Sequence, residues 1–458
     1  MKPIDLAVAA REFDANRERY VENWKTAVRF PSVGADPEHA KDCHACASWF
    51  AKRLGDAGFV TELLETGAPP VVFAERRGKK GSPVILIYGH YDVQPADPLE
   101  EWKTPPFEPV FKDGRLYGRG AQDNKGQLVY VLAALETLHR LAGGDLCTIK
   151  VLLEGQEESG STALSRELPG WADRVKADVL MVADTFMADS GAPSIVMGLR
   201  GLVHLTLTVE GPLRDLHSGS HGGLAQNPAD ALCRLIASFH RRDGSIAVKG
   251  FTKGCRLPTA RERELLSREG FDPARYQALS GVPPTGGEAA LPPLERLGFR
   301  PTIEVNGIHG GYGGSGSKTI IPARAFAKLS ARLAGGQEPA RALAAIEAHA
   351  KAHVPAGLRV TVSEATVGGP ALRLDADSPL AARAAAVLRE VCGRDPVFHW
   401  EGASIPVLSL LARGAGGAQP LLVGFGHEED QVHAPNESFA LERFRLGYLY
   451  AVRLLSGW

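Results

Sequence analysis

The sequence has 458 residues, more than one hydrophobic core usually supports, so its length predicts two or more domains. Apolar residues make up 44% of the chain and charged residues 23%, a balance typical of a globular protein. Lysine and arginine number 52 against 53 acids, and the net charge of -1 argues against nucleic acid or an anionic membrane as a partner and favours a small molecule.

The first segment of the chain predicts an amphipathic helix. Between residues 6 and 30, apolar side chains recur at helical spacing at Phe13, Tyr20, Trp24 and Val28, and Pro31 follows. The apolar stretch near the N-terminus is only five residues long, so we do not expect a signal peptide. The sequence contains no apolar run of about 18 residues, which argues against a membrane span.

The cysteine pattern favours a reducing compartment. Six cysteines are too sparse for a disulfide framework in a chain of this length, so we expect a cytoplasmic protein. Cys43 and Cys46, in "CHAC", have the spacing of a metal-binding pair. The sequence has no second pair at zinc-finger spacing, so we interpret them as ordinary helix residues.

The next segments alternate between strand and helix patterns. Apolar runs at 83–90, 148–155 and 177–184 predict buried strands, and 124–141 predicts a helix between the first two. Strands that are apolar throughout and separated by helices predict a parallel sheet covered on both faces, hence an α/β domain. The pattern resumes after residue 376, with a helix and then a strand at 419–426.

A different pattern occupies the middle of the chain. Strand-like and helix-like segments follow one another in the order β-α-β-β-α-β, at 202–210, 227–240, 301–307, 324–333, 338–353 and 357–365. This order predicts a ferredoxin-like α+β domain, interrupted by a surface insertion with short helices at 241–300. We therefore predict a second domain at 199–375, inserted into a first domain formed by 1–198 and 376–458.

Histidines and acids follow the predicted strands of the first domain. In open α/β sheets, ligands bind beyond the carboxyl ends of the strands. One acid there is often a helix cap and one histidine an ordinary loop residue, but independent caps have no reason to include two histidines and adjacent glutamates. We therefore predict one site formed by His90, Asp92, Asp123, Glu157, Glu158, Asp184 and His433.

These residue types predict a metal site. Histidines and carboxylates without a thiolate suit zinc, or cobalt or manganese in its place, and there are enough of them for two ions. Two ions about 3.5 to 4 Å apart can polarise a carbonyl and activate water for amide hydrolysis. Asp92 could fix the tautomer of His90. Of the adjacent Glu157 and Glu158, one could bind a metal while the other takes the proton.

Five ordered motifs resemble those of one family. They are "GHYDVQP", "LYGRGAQDNKG", "EGQEESGS", "VADT" and "HAPNE". Together they resemble the co-catalytic metallopeptidases of the M20 clan over nearly the whole chain. The long inserted domain makes the sequence most similar to the branch of cytosolic nonspecific dipeptidases and carnosinases.

The resemblance implies a set of metal ligands. His90 and His433 would each bind one ion, and Asp123 would bridge both. Glu158 and Asp184 would complete the two coordination shells.

The resemblance also implies roles for residues around the metals. Glu157 would be the general base, and Asp92 would orient His90. A cis peptide bond would follow the bridging acid, between Asp123 and Asn124.

The inserted domain carries a further motif, "LRDLHSGSHGG" at 213–223. By itself the segment is typical of a glycine-rich turn with exposed histidines. The resemblance implies that His217 reaches the active site of a second subunit and stabilises the oxyanion of the tetrahedral intermediate, whereas His221 has no such counterpart. An edge strand of a ferredoxin-like sheet can also pair with a second copy, so we expect a homodimer.

The segment "GGYGGSGSKT" at 310–319 almost matches a phosphate-binding P-loop. Ser317 separates the glycine from Lys318, and Pro322 with β-branched residues predicts a strand where a P-loop needs a helix. The resemblance instead implies a lid loop, with Thr319 near the substrate.

Two segments are candidates for binding the substrate. Arg332 matches the arginine that grips a substrate carboxylate, although alone it could be a solvated strand residue. Glu401 and Ser404, in "WEGASIP", match a motif that lines the end of the cleft. Trp400 and Ala403 depart from that motif, where arginine and glycine are frequent.

The sequence therefore predicts a dinuclear metallohydrolase of dipeptides or very short peptides with a free C-terminal carboxylate. An N-acyl or N-carbamoyl amino acid amidohydrolase would use the same chemistry, and the sequence does not separate the two. A non-catalytic scaffold that kept the fold is disfavoured, because Glu157 and the five candidate ligands are all present.

Overall fold

A computed structural model describes residues 3–142, 147–188, 190–405 and 407–458. The chain divides into two units. The first comprises Met1–Met197, Leu374–His399 and Val407–Trp458, and the second comprises Gly198–Arg373 and Trp400–Pro406. The second unit thus consists of two segments of the chain, whereas the predicted second domain is one insertion at 199–375. The predicted boundary differs at 400–406, because Glu401 and Ala403 pair through their backbones with Gly198 and Arg200.

A mixed sheet forms the centre of the first unit. Its strands lie in the order Val60–Leu64, Val71–Arg76, Thr148–Glu154, Val84–His90, Val179–Val182, Gln419–Leu422 and Ser194–Leu199. The four strands from Thr148–Glu154 to Gln419–Leu422 pair in parallel, and the neighbours on both sides are antiparallel. The strand Val397–Trp400 also pairs with Ser194–Leu199. The predicted buried parallel strands are thus confirmed.

Helices cover this sheet because their apolar faces need a partner surface. They are Leu6–Val28, Ala40–Asp56, Lys125–Ala142, Thr162–Glu167, Ala172–Val175, Pro379–Cys392, Leu408–Gly414 and Leu441–Leu455, with short 3-10 helices at Pro37–His39, Leu99–Glu101, Glu157–Ser159, Leu168–Trp171 and Glu428–Asp430. The first helix buries its predicted apolar face: the rings of Trp24 and Phe444 stack with centroids 4.8 Å apart. A small separate sheet contains, in this order, the strands Ser438–Ala440, Arg115–Tyr117 and Val110–Lys112.

The second unit has the predicted ferredoxin-like fold. Four antiparallel strands lie in the order Thr302–Gly310, Arg324–Leu333, Gly201–Glu210 and Arg359–Val367. The helices Pro228–Ala237 and Pro339–His353 share a buried apolar core with one face of this sheet. Residues on the central strands alternate between that core and the opposite face, which leaves the opposite face available for polar side chains.

The remaining elements of the second unit are short. The insertion at 241–300 contains the helices Ala260–Glu269, Pro273–Ser280 and Pro293–Phe299, as predicted. The strand Leu216–His217 pairs with Ile320–Ile321 and precedes the one-turn helix Ser218–His221, and Leu372–Arg373 pairs with the end of Ser194–Leu199. A strand, not a helix, follows the glycine-rich segment at 310–319, which agrees with the argument against a P-loop.

Candidate metal centre and active site

The parallel strands bring the predicted residues to one edge of the central sheet. His90 is the last residue of its strand, and Asp184 lies two residues beyond the strand Val179–Val182. Glu157 is the first residue of the short helix that follows the strand Thr148–Glu154, and Asp123 lies just before the helix Lys125–Ala142. His433 follows the last parallel strand in a loop. Parallel strands end at the same edge, so distant parts of the sequence converge there.

The carboxylate of Asp123 lies between two histidines. Its Oδ1 is 3.2 Å from Nε2 of His90, and its Oδ2 is 3.0 Å from Nε2 of His433. A second carboxylate faces each histidine: Asp184 Oδ2 is 3.5 Å from His90 Nε2, and Glu158 Oε2 is 3.2 Å from His433 Nε2. The arrangement is two sets of one histidine and two carboxylates that share Asp123.

The charges of this cluster shift the pKa of its members strongly. Hydrogen bonds to Asp123 and Glu158 raise the pKa of His433 to about 10. Burial alone would lower the pKa of His90, but Asp184 and its other carboxylate neighbours hold that pKa well above its usual value. Burial alone would raise the pKa of Asp123, yet its hydrogen bonds to both histidines lower that pKa.

The donor set fits divalent cations. One ligand atom each from His90, Asp123 and Glu158 lie within 4.8 Å of one another. Oε1 of Glu158 is buried and has no hydrogen-bond partner in the described structure, so it is available to a cation. Two histidines facing several buried carboxylates leave a surplus of negative charge, and burying such charge without a partner costs several kcal/mol. Nitrogen and oxygen donors of this kind suit zinc, cobalt or manganese.

Asp92 is fully buried and connects two parts of the site. Its Oδ1 is 3.3 Å from Nδ1 of His90, and its backbone oxygen is 3.2 Å from the same atom. The same carboxylate accepts hydrogen bonds from the backbone N–H groups of Glu157 and Glu158, at 3.2 and 3.1 Å. Asp92 thus fixes the imidazole ring of His90 and the backbone from which the two glutamates project.

The two adjacent glutamates differ in their surroundings. Glu158 faces His433, whereas Glu157 forms no side-chain hydrogen bond or ion pair within the described residues. Burial raises the pKa of Glu157 well above its usual value. The charge of His90 opposes this shift, whereas the charges of Asp184 and Glu158 add to it. A carboxylate with a raised proton affinity and no structural partner has the properties of a proton carrier.

A buried cage that the sequence analysis missed holds the loop with Asp123. Glu437 is fully buried, and its carboxylate accepts hydrogen bonds from the backbone N–H groups of Gly120, Gln122 and Asp123, at 2.9, 2.9 and 3.1 Å. Arg119 pairs with the same carboxylate at 2.9 Å. Glu437 is the last residue of the motif "HAPNE", so the family resemblance contained the signal, although no role was predicted for it.

Two side-chain amides also orient candidate metal ligands, and the sequence did not predict this role for them. Nε2 of Gln94 donates to Oε2 of Glu158 at 2.9 Å, and Nδ2 of Asn124 donates to Oδ1 of Asp184 at 2.8 Å. Both residues lie in the quoted motifs. The peptide bond between Asp123 and Asn124 is cis, which confirms the expectation drawn from the family resemblance.

The predicted residues of the second unit form two groups. His217 is exposed, its Nδ1 accepts a hydrogen bond from the Gly219 N–H at 3.1 Å, and its strand pairs with the segment directly after Thr319. The Thr319 carbonyl accepts from the Ser218 N–H at 3.0 Å. The motif with His217 and the glycine-rich loop are therefore neighbours within this unit.

Arg332 belongs to the second group. Its Nη1 donates to Oγ of Ser404 at 2.8 Å, and burial lowers the pKa of its guanidinium, against the charge of Glu401. Oε1 of Glu401 accepts from the backbone N–H groups of Gly402 and Ala403, at 2.7 and 3.2 Å. The structure thus brings together Arg332, Glu401 and Ser404, three of the four substrate residues predicted from the sequence.

The unusual tryptophan of the motif at 400–406 is a packing residue. Trp400 is only 2% exposed, and its ring lies 5.2 Å from that of Phe299. Gly298 makes room for it, because a Cβ there would come within 2.5 Å of Trp400 Cβ. Trp400 is therefore part of the core of this unit. Pro406, the last residue of the motif, lies outside the described residues.

The remaining sequence predictions concern residues away from the metal cluster. Cys43 and Cys46 are buried in the helix Ala40–Asp56, as ordinary helix residues, and burial raises the pKa of the Cys43 thiol to about 12. Over the described part of the chain, no helix has the length and apolar character needed to cross a membrane.

Comparison with known proteins identifies the family. The model of peptidase family M20/M25/M40 matches residues 86–456. The chain belongs to this family. A Cys-Gly metallodipeptidase of Schizosaccharomyces pombe is 29% identical over 95% of this chain and 94% of its own. The human Beta-Ala-His dipeptidase is 29% identical over 100% of this chain and 92% of its own.

The fold comparison gives the same family. The crystal structure of an M20 family metallo-carboxypeptidase from Sulfolobus solfataricus superposes with a TM-score of 0.85, at 29% identity, over 95% of this chain and 98% of that one. The family resemblance seen in the five motifs is therefore confirmed, and so is the mixed α/β fold with an inserted domain.

Proposed function

We propose that this protein is a dinuclear metal-dependent dipeptidase, which hydrolyses the peptide bond of dipeptides or very short peptides with a free C-terminal carboxylate. The observation that carries this proposal is the carboxylate of Asp123, with one oxygen 3.2 Å from His90 and the other 3.0 Å from His433. One bridging carboxylate between two histidines is the geometry of a two-metal hydrolase. The dipeptidase names of the relatives support the substrate class.

The metal ligands follow from this cluster. His90 and Asp184 would hold one ion, His433 and Glu158 the other, and Asp123 both. When bound, two divalent ions polarise the scissile carbonyl and lower the pKa of water between them. Zinc is the metal that we propose, with manganese or cobalt able to replace it.

The protein groups then have separate tasks. Glu157 accepts the proton of the attacking water and passes it to the leaving amine, because it is the glutamate without a structural partner. Asp92 is a positioning residue, which holds the ring of His90 and the backbone of Glu157. Glu437 positions the Asp123 loop through three backbone hydrogen bonds.

The second unit supplies recognition. We propose that Arg332 binds the substrate carboxylate through its planar guanidinium and that Glu401 and Ser404 shape the same end of the site, while Thr319 lies near the substrate in the lid loop. We also propose that the protein is a homodimer in the cytoplasm, in which His217 stabilises the oxyanion in the active site of the other subunit. The exposure of His217 within its own unit is compatible with such a role.

A substrate panel tests the proposed function. The purified protein, loaded with zinc or manganese, is assayed against free dipeptides, the corresponding dipeptide amides and N-acetyl amino acids. We expect rapid cleavage of free dipeptides and slow turnover of the other two sets. Preferential hydrolysis of N-acetyl or N-carbamoyl amino acids would replace the dipeptidase proposal with an amidohydrolase.

A further inference from the structure

The second unit contains a cavity of about 700 Å³ that the sequence analysis did not anticipate. Part of its wall comes from the insertion at 241–300, and part from the face of the four-stranded sheet opposite the helices. Its volume is in the usual range for a small-molecule site. The apolar side chains that line it include Ile246, Phe271, Leu294 and Leu297.

One end of this cavity carries two arginines, Arg200 and Arg332. Nε of Arg200 donates to the Gly402 carbonyl at 2.7 Å, and Nη1 of Arg332 donates to Oγ of Ser404 at 2.8 Å. Within the described residues neither arginine forms an ion pair. Burial and the charge of Arg332 lower the pKa of Arg200 to about 10, against the opposing charges of Glu401 and Glu304. The two guanidinium groups, neither of which is paired directly with an acid among the described residues, can bind an anion at this end of the cavity.

The cationic end is joined directly to the loop that contains Ser404. The Arg200 N–H donates to the Ala403 carbonyl at 3.0 Å, and Oγ of Ser404 donates to the Arg200 carbonyl at 2.5 Å. The loop also lies against the apolar wall, because a Cβ at Gly402 would come within 2.4 Å of Leu297 Cδ1. A group held by Arg332 and Ser404 is thus next to the cavity.

The other charged side chains of the cavity wall have polar partners, except the exposed Glu304, which has no ion pair among the described residues. Glu288 pairs with Arg300 at 2.6 Å, and Nη2 of Arg296 donates to the Pro284 carbonyl at 2.9 Å. Leu294 and Leu297 lie one turn apart on the helix Pro293–Phe299, so both can present their side chains to the cavity. A ligand that carries an apolar group beside a carboxylate would fit both the apolar wall and the cationic end of this cavity.

We infer that the cavity binds the side chain of the substrate's C-terminal residue and selects a large aromatic or aliphatic one. The inference rests on the proposed function, in which Arg332 takes the carboxylate of that same residue. The S. pombe relative is named for a dipeptide that ends in glycine, and the human relative for one that ends in histidine. These two dipeptides differ in the C-terminal side chain, which is the part of the substrate that we infer this cavity binds.

The test compares two substrates that differ only in this side chain, Ala-Phe and Ala-Gly. Transfer of a phenylalanine side chain out of water predicts that kcat/KM is roughly ten- to a hundredfold higher for Ala-Phe. Leu294→Trp fills the cavity, and we expect it to reduce this ratio by about tenfold or more. Leu279→Trp is the matched control: Leu279 is 58% exposed in the same insertion and does not line the cavity. It should leave the ratio unchanged, and thermal unfolding checks that both variants fold.

The outcomes separate this inference from the proposed function. A wild-type ratio near one, or a ratio that Leu294→Trp leaves unchanged, overturns the cavity inference while dipeptidase activity stands. If dipeptides are not cleaved but N-acetyl amino acids are, the proposed function fails, and N-acetyl-phenylalanine and N-acetyl-glycine test the cavity in the same way. If neither class is hydrolysed, calorimetry with free phenylalanine and glycine decides: equal affinities, or a preference for phenylalanine that survives Leu294→Trp, overturn the inference.

Discussion

The two units of this chain gather opposite charges at their polar sites. The first unit brings buried carboxylates around two histidines, whereas the second places Arg200 and Arg332 together without an ion pair among the described residues. Arg119 shows the contrast, because this buried arginine of the first unit is paired with Glu437 at 2.9 Å. Unpaired charge that is partly removed from water is costly, so we expect cations to stabilise the first site and a carboxylate to stabilise the second.

Removing the shared carboxylate should have the largest effect. We expect two divalent ions per chain in the loaded protein, and at most one in Asp123→Ala with loss of activity, because this side chain faces both histidines. Metal content by mass spectrometry measures this, with the exposed Glu38→Ala as control. One ion per chain, unaffected by Asp123→Ala, would rule out a bridged pair.

The next largest effect is expected from the proton carrier. Glu157→Gln should lower kcat by about a thousandfold while it keeps both metals, since an amide cannot accept the proton but fits the same space. Rates and metal content are measured on the same preparation. A kcat close to that of the wild type would contradict the role proposed for Glu157.

A third test concerns the exposed histidine of the second unit. His217→Ala should lower kcat by roughly 10²- to 10³-fold, the usual effect of losing an oxyanion donor. When the His217→Ala protein is mixed with the Glu157→Gln protein, the mixture should regain up to about a quarter of wild-type activity. About half of randomly formed dimers contain one chain of each kind, and each of these would have one intact site out of two. If the subunits exchange and no activity returns, His217 does not act across subunits.

The cationic site should respond more moderately. Arg332→Lys should reduce kcat/KM for a free dipeptide by about ten- to a hundredfold, and amidation of the substrate should have a similar effect. Combined, the two losses should be far from additive, because each removes half of one contact. Equal rates on a dipeptide and its amide would exclude the carboxylate clamp.

The last test compares the stability of two variants, one of a paired arginine and one of an unpaired arginine, and we expect its effect on catalysis to be the smallest. Arg119→Gln should destabilise the fold by about 3 to 5 kcal/mol, because it leaves the buried Glu437 carboxylate without its cation. Arg200→Gln removes a charge that has no ion-pair partner among the residues that the structure describes, and it should cost much less. Denaturant unfolding of the two variants tests this, and equal losses would mean that Arg200 is structurally as important as Arg119.

The sequence by itself determined the architecture and grouped the residues of the candidate metal site. Apolar runs in the sequence indicate buried strands, and parallel strands end at the same edge of their sheet. The residues that follow these runs could therefore be grouped from the sequence alone: His90, Asp123, Glu158, Asp184 and His433. The β-α-β-β-α-β order likewise fixed the second fold, because few arrangements of four strands and two helices bury both helix faces. The resemblance of the motifs added the roles and the cis peptide bond.

Only the tertiary structure decided the features that depend on contacts between distant segments. Glu437 holds the loop of Asp123 across more than 300 residues of sequence, and nothing local marks an acid as the acceptor of three backbone N–H groups. Trp400 departs from the family motif, but only its packing against Phe299 shows that it fills a core. The cavity beside Arg332 has no periodic signal either, since its walls come from an irregular insertion and a sheet face. Hydrophobic periodicity specifies which residues are buried, whereas the shape of the space between them is set by packing.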